Sequence, residues 1–314
     1  MKILYFHQHF STPYGSTGTR SYEMAKRLIY YGHDVTLICG SYAGGDTGLR
    51  QNFNSGKREG VIDGIRIIEF NLSYKNSDNF FKRSIAFIIY ALRSLKIVLS
   101  RDYEMVIASS TPLTAGIPGI IARWFLRKPF IFEVRDLWPE LPKKMGVIKN
   151  PIVLSALSIL EWVSYRSAVR CIGLSPGIVD GIKNCGVSEE KIAMIPNGCD
   201  LSIFNKKINR FNFKNFNSDD FLAIYAGTHG LANGLDAVLN AGLVLKNRSR
   251  EDIKIILVGQ GMKKEHLQKR AEDMNLKNII FLNPLSKNDL SKLFSVSDIG
   301  LQILANVPAF YYGT

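Results

Sequence analysis

Short apolar runs alternate along the chain with longer stretches in which apolar residues recur every three or four positions, a rhythm that predicts strands and helices in turn. KILYF (2–6) reads as a strand, and SYEMAKRLIYYG (21–32) as a helix with Met24, Leu28 and Tyr31 at helical spacing and Gly32 as its stop. DVTLICG (34–40) is a second strand. A strand, a helix and a strand in that order form a β-α-β unit, whose strands lie parallel and adjacent. Residues 43–60, rich in Gly, Ser and Asn, read as a surface loop, GIRIIEF (64–70) as a strand and 80–100 as a helix. The pattern resumes with MVIAS (105–109), a helix over about 113–126, PFIFEV (129–134) and a long helix over 150–170. CIGLS (171–175), a helix from Pro176 to about 184, and a short strand and turn in KIAMIPNG (191–198) follow.

Between 201 and 220 the rhythm lapses into NKKINRFNFKNFNSDD, which reads as a linker. It restarts with FLAIYAG (221–227), a helix over 235–247, IKIILVG (253–259), a helix over 263–274, NIIFL (278–282), a helix over 286–295 and DIGLQIL (298–304). The expected organisation is two consecutive α/β domains, 1–200 and 221–314, joined by a linker at 201–220. The last stretch, ANVPAFYYGT, follows after about four strands of the second domain. An open doubly wound sheet usually continues, so the expectation is an incomplete second domain.

Composition narrows the class. At 314 residues, 46% hydrophobic and 21% charged, the chain has the length of two domains and the make-up of a soluble globular protein. The apolar pentad at 2–6 is too short for a secretory signal. SIAFIIYALRSLKIVLS (84–100) is interrupted by Arg93 and Lys96 and does not read as a spanning helix. Cys39, Cys171, Cys185 and Cys199 form no C-x-x-C pair and read as reduced structural residues, which points to the cytoplasm. Forty Lys and Arg against 27 Asp and Glu leave a net charge of +13. The excess is densest at 75–101, where Lys75, Lys82, Arg83, Arg93, Lys96 and Arg101 face only Asp78, with Phe80, Phe81, Phe87 and Tyr90 interleaved. A basic, partly amphipathic helix suits an anionic bilayer surface. The plain alternative is a solvated helix, and nucleic acid is not the expected partner.

Ligands of open α/β sheets sit beyond the carboxyl ends of the strands, and six polar groups fall there. Gly15, Ser16, Thr17, Gly18, Thr19 and Arg20 form a glycine turn before a helix, suited to an anion. It is not G-x-G-x-x-G, and no acid ends the second strand, which argues against a dinucleotide. Glu133, Arg135 and Asp136 close another strand, where a substrate role competes with a salt bridge. SSTP (109–112) is a hydroxyl cluster that helix capping explains equally well. IPNGCD (195–200) reads as a structural turn. YAGTHGLANG (225–234) is a second glycine turn between strand and helix, so that one ligand held between the domains is expected. LVGQGM (257–262) and FLNPL (281–285) could seat a planar base or be ordinary connections. His7, His9, His33, His229 and His266 show no metal spacing, and neither G-x-S-x-G nor a Walker motif occurs.

Taken together, the opening HQHF-x-x-P-x-G-x-x-G-x-R, IPNG-x-D-x-x-x-F from Ile195 to Phe204, the second glycine loop, LVGQG and SVSDIGL resemble glycosyltransferase family 4 over essentially the whole chain. The opening is similar to the branch that transfers N-acetylated deoxy sugars such as fucosamine in bacterial surface-polysaccharide assembly. The resemblance implies a GT-B fold of two facing Rossmann-like domains. It implies retaining transfer from a UDP-sugar to a lipid-linked saccharide, as in O-antigen or capsule assembly, at the inner face of the cytoplasmic membrane, with no metal or cofactor. Gly15, Ser16, Thr17, Gly18 and Arg20 of the first domain and Gly227, Thr228, His229, Gly230 and Asn233 of the second would then meet the donor diphosphate. Gly259, Gln260, Leu282, Asn283, Pro284 and Leu285 would seat the base, and Arg135, Asp136 and Glu133 would stand at the transfer centre.

Three departures stand out. Relatives often carry Arg and Lys where this chain has Thr228 and Asn233, so other groups must neutralise the diphosphate. Many have His where Arg135 and Asp136 stand. The family's E-x7-E element and returning helix are not in the sequence. Two alternatives remain: a UDP-sugar 2-epimerase on the same architecture, with Glu133, Asp136 and His229 as acid/base groups, or an inactive truncated fragment that binds acceptor or membrane.

Overall fold

The computed structural model describes residues 1–42, 44–72, 78, 80–204, 217 and 219–307. These fall into two compact units, the first Met1–Gly198 and the second beginning at Cys199.

The first unit is built from β1 (Lys2–Phe6), α1 (Arg20–Tyr30), β2 (Asp34–Gly40), β3 (Lys57–Ile62), β4 (Ile65–Phe70), α2 (Phe80–Ser100), β5 (Met105–Ser109), α3 (Ile117–Phe125), β6 (Phe130–Val134), α4 (Glu140–Lys144), α5 (Pro151–Ser167), β7 (Arg170–Gly173), α6 (Pro176–Asn184) and β8 (Ile192–Met194). Its eight strands run in the order β3-β4-β2-β1-β5-β6-β7-β8, parallel except for β3. The registers Lys2↔Asp34 and Ile3↔Met105 set β1 between β2 and β5. Strands covered on both faces need apolar side chains on both, which is why they read as continuous apolar runs. One face buries Phe6, Ile68, Tyr90, Val106, Phe130 and Ile182 under α2, α3, α5 and α6. The other buries Tyr5, Tyr22, Ala25, Leu37 and Ile67 under α1.

Residues 43–60 are not wholly a loop: β3 begins at Lys57 and pairs antiparallel with β4. The two join through Asp63 and Gly64, both at positive φ (50° and 81°), the tight hairpin that an Asp-Gly pair favours. The expected helix at 113–126 is a 3-10 turn, Leu113–Gly116, running into α3, and α4 is an element the apolar pattern did not announce.

The second unit holds α7 (Leu201–Phe204), β9 (Phe221–Ala226), α8 (Asp236–Asn247), β10 (Ile253–Val258), α9 (Lys264–Asp273), β11 (Ile279–Leu282), α10 (Lys287–Val296) and β12 (Ile299–Gly300). Its parallel sheet has the order β11-β10-β9-β12. The stretch read as a linker opens with α7, whose Ile203 carbonyl accepts from Ser291 of α10, and residues 205–216 and 218 lie outside those described. β12 is shorter than the DIGLQIL run read as a strand.

Candidate functional site

In the first sheet the connection from β1 leads to β2 on one side, while β5 flanks β1 on the other, so the chain changes direction between β1 and β5. In open α/β sheets such a reversal is where a ligand crevice forms, beyond the carboxyl ends of the strands. His7, Ser109, Ser110, Glu133 and Arg135 all sit at those ends, beside the loop that leads into α1.

Two arginines meet there under different conditions. Arg20 is engaged on every side. Its Nε donates to Glu133 Oε2 at 3.0 Å, and its terminal nitrogens donate to the carbonyls of Ile195 and Pro196, both at 2.8 Å. Glu133 is 1% exposed, and its other oxygen accepts from Ser109 Oγ at 2.7 Å. Arg20 and Glu133 therefore tie the start of α1, the end of β6 and the IPNG segment together. The turn that chemistry alone reads as structural supplies Arg20 with two acceptors. Asp136 accepts from Thr111 Oγ1 at 2.7 Å.

Arg135 has no carboxylate within ion-pair distance among the described residues. One terminal nitrogen lies 3.0 Å from His7 Nε2, and its backbone N–H donates to Ser110 Oγ at 3.0 Å. Burial, then the charge of Arg135, holds the His7 imidazole well below its ordinary pKa. His9, half-buried against Tyr42 and Phe87, is lowered to about 3 by desolvation first and then by Arg135 and Arg83.

The opening glycine loop is partly committed to its own packing. The amides of Gly15 and Ser16 donate to the carbonyls of Thr12 and Gly44. A Cβ on Gly15 would lie 2.2 Å from Ser11 Oγ and 2.8 Å from the Asp46 nitrogen, so this glycine answers to close packing. Gly18, by contrast, is exposed, and Thr17 Oγ1 is buried without a hydrogen-bond partner among the described residues.

In the second unit β9 is flanked by β10 and β12, which again places a change of direction beside the 227–234 loop. This loop and the one after β10 are zipped together. Gly227 N–H donates to Val258, His229 N–H to Gln260, and Lys263 N–H back to His229. At Gly259, with φ at 150°, a Cβ would sit 1.9 Å from the Gly227 carbonyl oxygen. Gly227, Thr228 and Gln260 are exposed, as are Asn283 and Pro284, while Gly230, Asn233, Leu282 and Leu285 are half-buried.

His229 is 0% exposed, and neither ring nitrogen has a hydrogen-bond partner among the described residues. It packs among the rings of Tyr225 and Phe281, and burial, followed by the nearby Lys264 charge, lowers it to about 4. Sequence reasoning placed it against the diphosphate, but the fold seals its ring inside the loop. Lys264 carries a role the sequence did not show. Its buried Nζ donates to the Gly259 and Leu282 carbonyls and to Asn283 Oδ1, stapling the ends of β10 and β11, and burial lowers its pKa. Nothing in the sequence distinguishes Lys264 from its neighbour Lys263.

α2 also differs from its sequence reading. Arg93 turns back to donate to the Gly56 carbonyl, Lys82 pairs with Asp78 and Arg101 with Glu59. The outward face is instead apolar, with Phe81, Ile85, Ile88, Leu92 and Leu99 exposed at helical spacing beside Lys96. α3 packs against both α2 and α5 and adds exposed Trp124 and Phe125, while α5 adds Ile159 and Trp162. Among the described residues no helix is long and apolar enough to cross a membrane, and no group of three His, Cys, Asp or Glu side chains could hold a metal.

Two family models match the chain: Glycosyltransferase Family 4 over residues 17–203 and Glycosyl transferases group 1 over 206–302. No curated protein matches. Among solved structures, sucrose-phosphate synthase from Thermosynechococcus elongatus shares 14% identity, with a TM-score of 0.69 over 95% of this chain and 74% of that one. WaaG, a glycosyltransferase involved in lipopolysaccharide biosynthesis, shares 14% identity, with a TM-score of 0.63 over 96% of this chain and 75% of that one. Anabaena HepE in complex with UDP and glucose shares 15%, with a TM-score of 0.61 over 96% and 74%. At such identities the likeness concerns the fold, which is GT-B, with Rossmann-like units.

Proposed function

The chain belongs to glycosyltransferase family 4, and from that premise we propose that it moves a sugar from a UDP-sugar to a lipid-linked saccharide with retention of configuration. The bond from sugar C1 to the diphosphate oxygen breaks, and UDP leaves with the electron pair. An acceptor hydroxyl bonds to C1 on the same face and passes its proton to the departing diphosphate oxygen. The exposed loop ends of the second unit, at Gly227–Thr228, Gln260 and Asn283–Pro284, suit the nucleotide. UDP bound to HepE, a protein of the same fold, supports the choice of nucleotide.

The observation that carries the reading is Arg135, a cation at the switch point of the first sheet with no carboxylate partner among the described residues. Negative charge develops on the departing diphosphate, and a fixed cation stabilises it without help from a metal. In this reading no metal or cofactor takes part. The acceptor is a lipid-linked saccharide of a surface polysaccharide such as O-antigen or capsule, met at the cytoplasmic side of the membrane. The exposed apolar stripe of α2 supports peripheral attachment there.

The 2-epimerase alternative loses ground, because Glu133 is locked to Arg20 and Ser109 and His229 is sealed from solvent. Incubation with UDP-sugars and a polyprenyl-diphosphate-linked saccharide decides the matter. UDP release that depends on the acceptor, and a product with the donor's anomeric configuration, are expected. A new UDP-sugar formed without acceptor would overturn the assignment.

A further inference from the structure

We propose that Arg135 is the oxyanion-binding group of the first unit, taking a phosphate of a diphosphate ligand across Gly18, and that His7 is the positioning residue that holds its guanidinium. The inference rests on the transfer reading only for the identity of that ligand.

The charges at the switch point are unevenly paired. Arg20 engages the Glu133 carboxylate at 3.0 Å, while the Asp136 carboxylate is turned to the Thr111 hydroxyl. Among the described residues Arg135 has no carboxylate within ion-pair distance, and it is half-buried and so still reachable from solvent. The approach is also open. A Cβ built on Gly18 would stand 3.9 Å from an Arg135 terminal nitrogen, its nearest neighbour, and Gly18 is exposed. A ligand oxygen passing over Gly18 meets that nitrogen with no side chain between them.

The other terminal nitrogen contacts His7 Nε2 at 3.0 Å. A guanidinium only donates, so Nε2 must accept, and the imidazole proton lies on Nδ1. Nδ1 then donates to Ser21 Oγ, 2.6 Å away on the first turn of α1. His7 is 1% exposed and kept neutral by burial, so the contact does not become a repulsion near neutral pH. Ser21, His7 and Arg135 thus form a line that fixes one edge of the guanidinium and leaves the other for an anion.

Isothermal titration calorimetry on the full chain, with inorganic pyrophosphate, UDP and farnesyl diphosphate as separate probes, tests this. Arg135→Gln is expected to weaken pyrophosphate binding about tenfold or more. His7→Leu is expected to weaken it similarly, and His7→Gln to recover most of the loss, because an amide accepts from Arg135 and donates to Ser21 in the same way. Should either variant unfold, Gly18→Leu serves instead: its site is open and exposed, and a side chain there covers Arg135 without disturbing the core. A loss shared with UDP assigns the phosphate to the donor, and one shared with farnesyl diphosphate assigns it to the acceptor. Wild-type affinity for all three probes in both Arg135→Gln and Gly18→Leu, or no binding of any probe to the wild type, overturns the site. Full binding in His7→Leu overturns the positioning role. Pyrophosphate binding that depends on Arg135, in a protein that releases no UDP with any acceptor, would refute the transfer reading and leave this site standing.

Discussion

Arg20 and Glu133 are 113 residues apart in sequence and 3.0 Å apart in space, and almost no water reaches either. Removing one partner of such a pair leaves a buried charge without compensation, at a cost of about 3–5 kcal/mol. Glu133→Ala is expected to lose about that much in urea denaturation, whereas the same change at the exposed Glu190 loses little. His229 gives a pH signature. Its pKa is about 4 in the folded chain against an ordinary 6.5, so the unfolded chain binds the proton more readily. The stability it contributes is whole above pH 6.5 and declines as pH falls toward 4. Urea midpoints followed from pH 7 to 4 should show this decline, and His229→Leu should flatten its share. Gly259→Ala is expected to destabilise the second unit, since the new methyl would meet the Gly227 carbonyl oxygen at 1.9 Å and no rotamer relieves a Cβ clash. Lower soluble yield and melting temperature would show it.

Among the elements, the hairpin of β3 and β4 is instructive because its signal was present. Asp63-Gly64 lies between VI and IRI, and both turn residues take positive φ. The Gly, Ser and Asn upstream mask it, so that composition over a long window outweighs two residues that decide the fold locally. Gly64→Ala, at φ 81°, should cost about 1 kcal/mol in thermal or urea denaturation. α2 is the opposite case. Its bounds are read from the sequence without error, but its character is not, because Arg93 finds the Gly56 carbonyl and Arg101 finds Glu59 only once β3 is in place. What remains outside is a stripe of Phe81, Ile85, Ile88 and Leu92.

For the whole molecule, a net charge of +13 combined with that stripe gives a definite expectation for membranes. The protein should float with vesicles containing anionic lipid, and rising salt should weaken the interaction without abolishing it, since screening acts on the charges and not on buried apolar side chains. Ile88→Glu with Leu92→Glu should lower flotation severalfold at an unchanged melting temperature, because both side chains are exposed in the folded chain. Flotation equal to wild type would remove α2 from the attachment surface. Acceptor-dependent UDP release in detergent, with no vesicle present, should survive these substitutions.

The sequence by itself determined the alternation of strands and helices apart from β3, α4 and α7, because strand and helix impose different apolar periods on the residues that form them. It determined the family as well, since the glycine turns and IPNG answer to local backbone demands that are visible over a few positions. Which charge is free was decided only by the tertiary structure. Arg20 and Arg135 look alike in the sequence, and each stands near acids or glycines. Folding brings Glu133 and the carbonyls of Ile195 and Pro196 to one of them, and His7 to the other. A charge is compensated by whatever lies within a few ångströms of it, and in a parallel sheet those neighbours come from strands far apart along the chain.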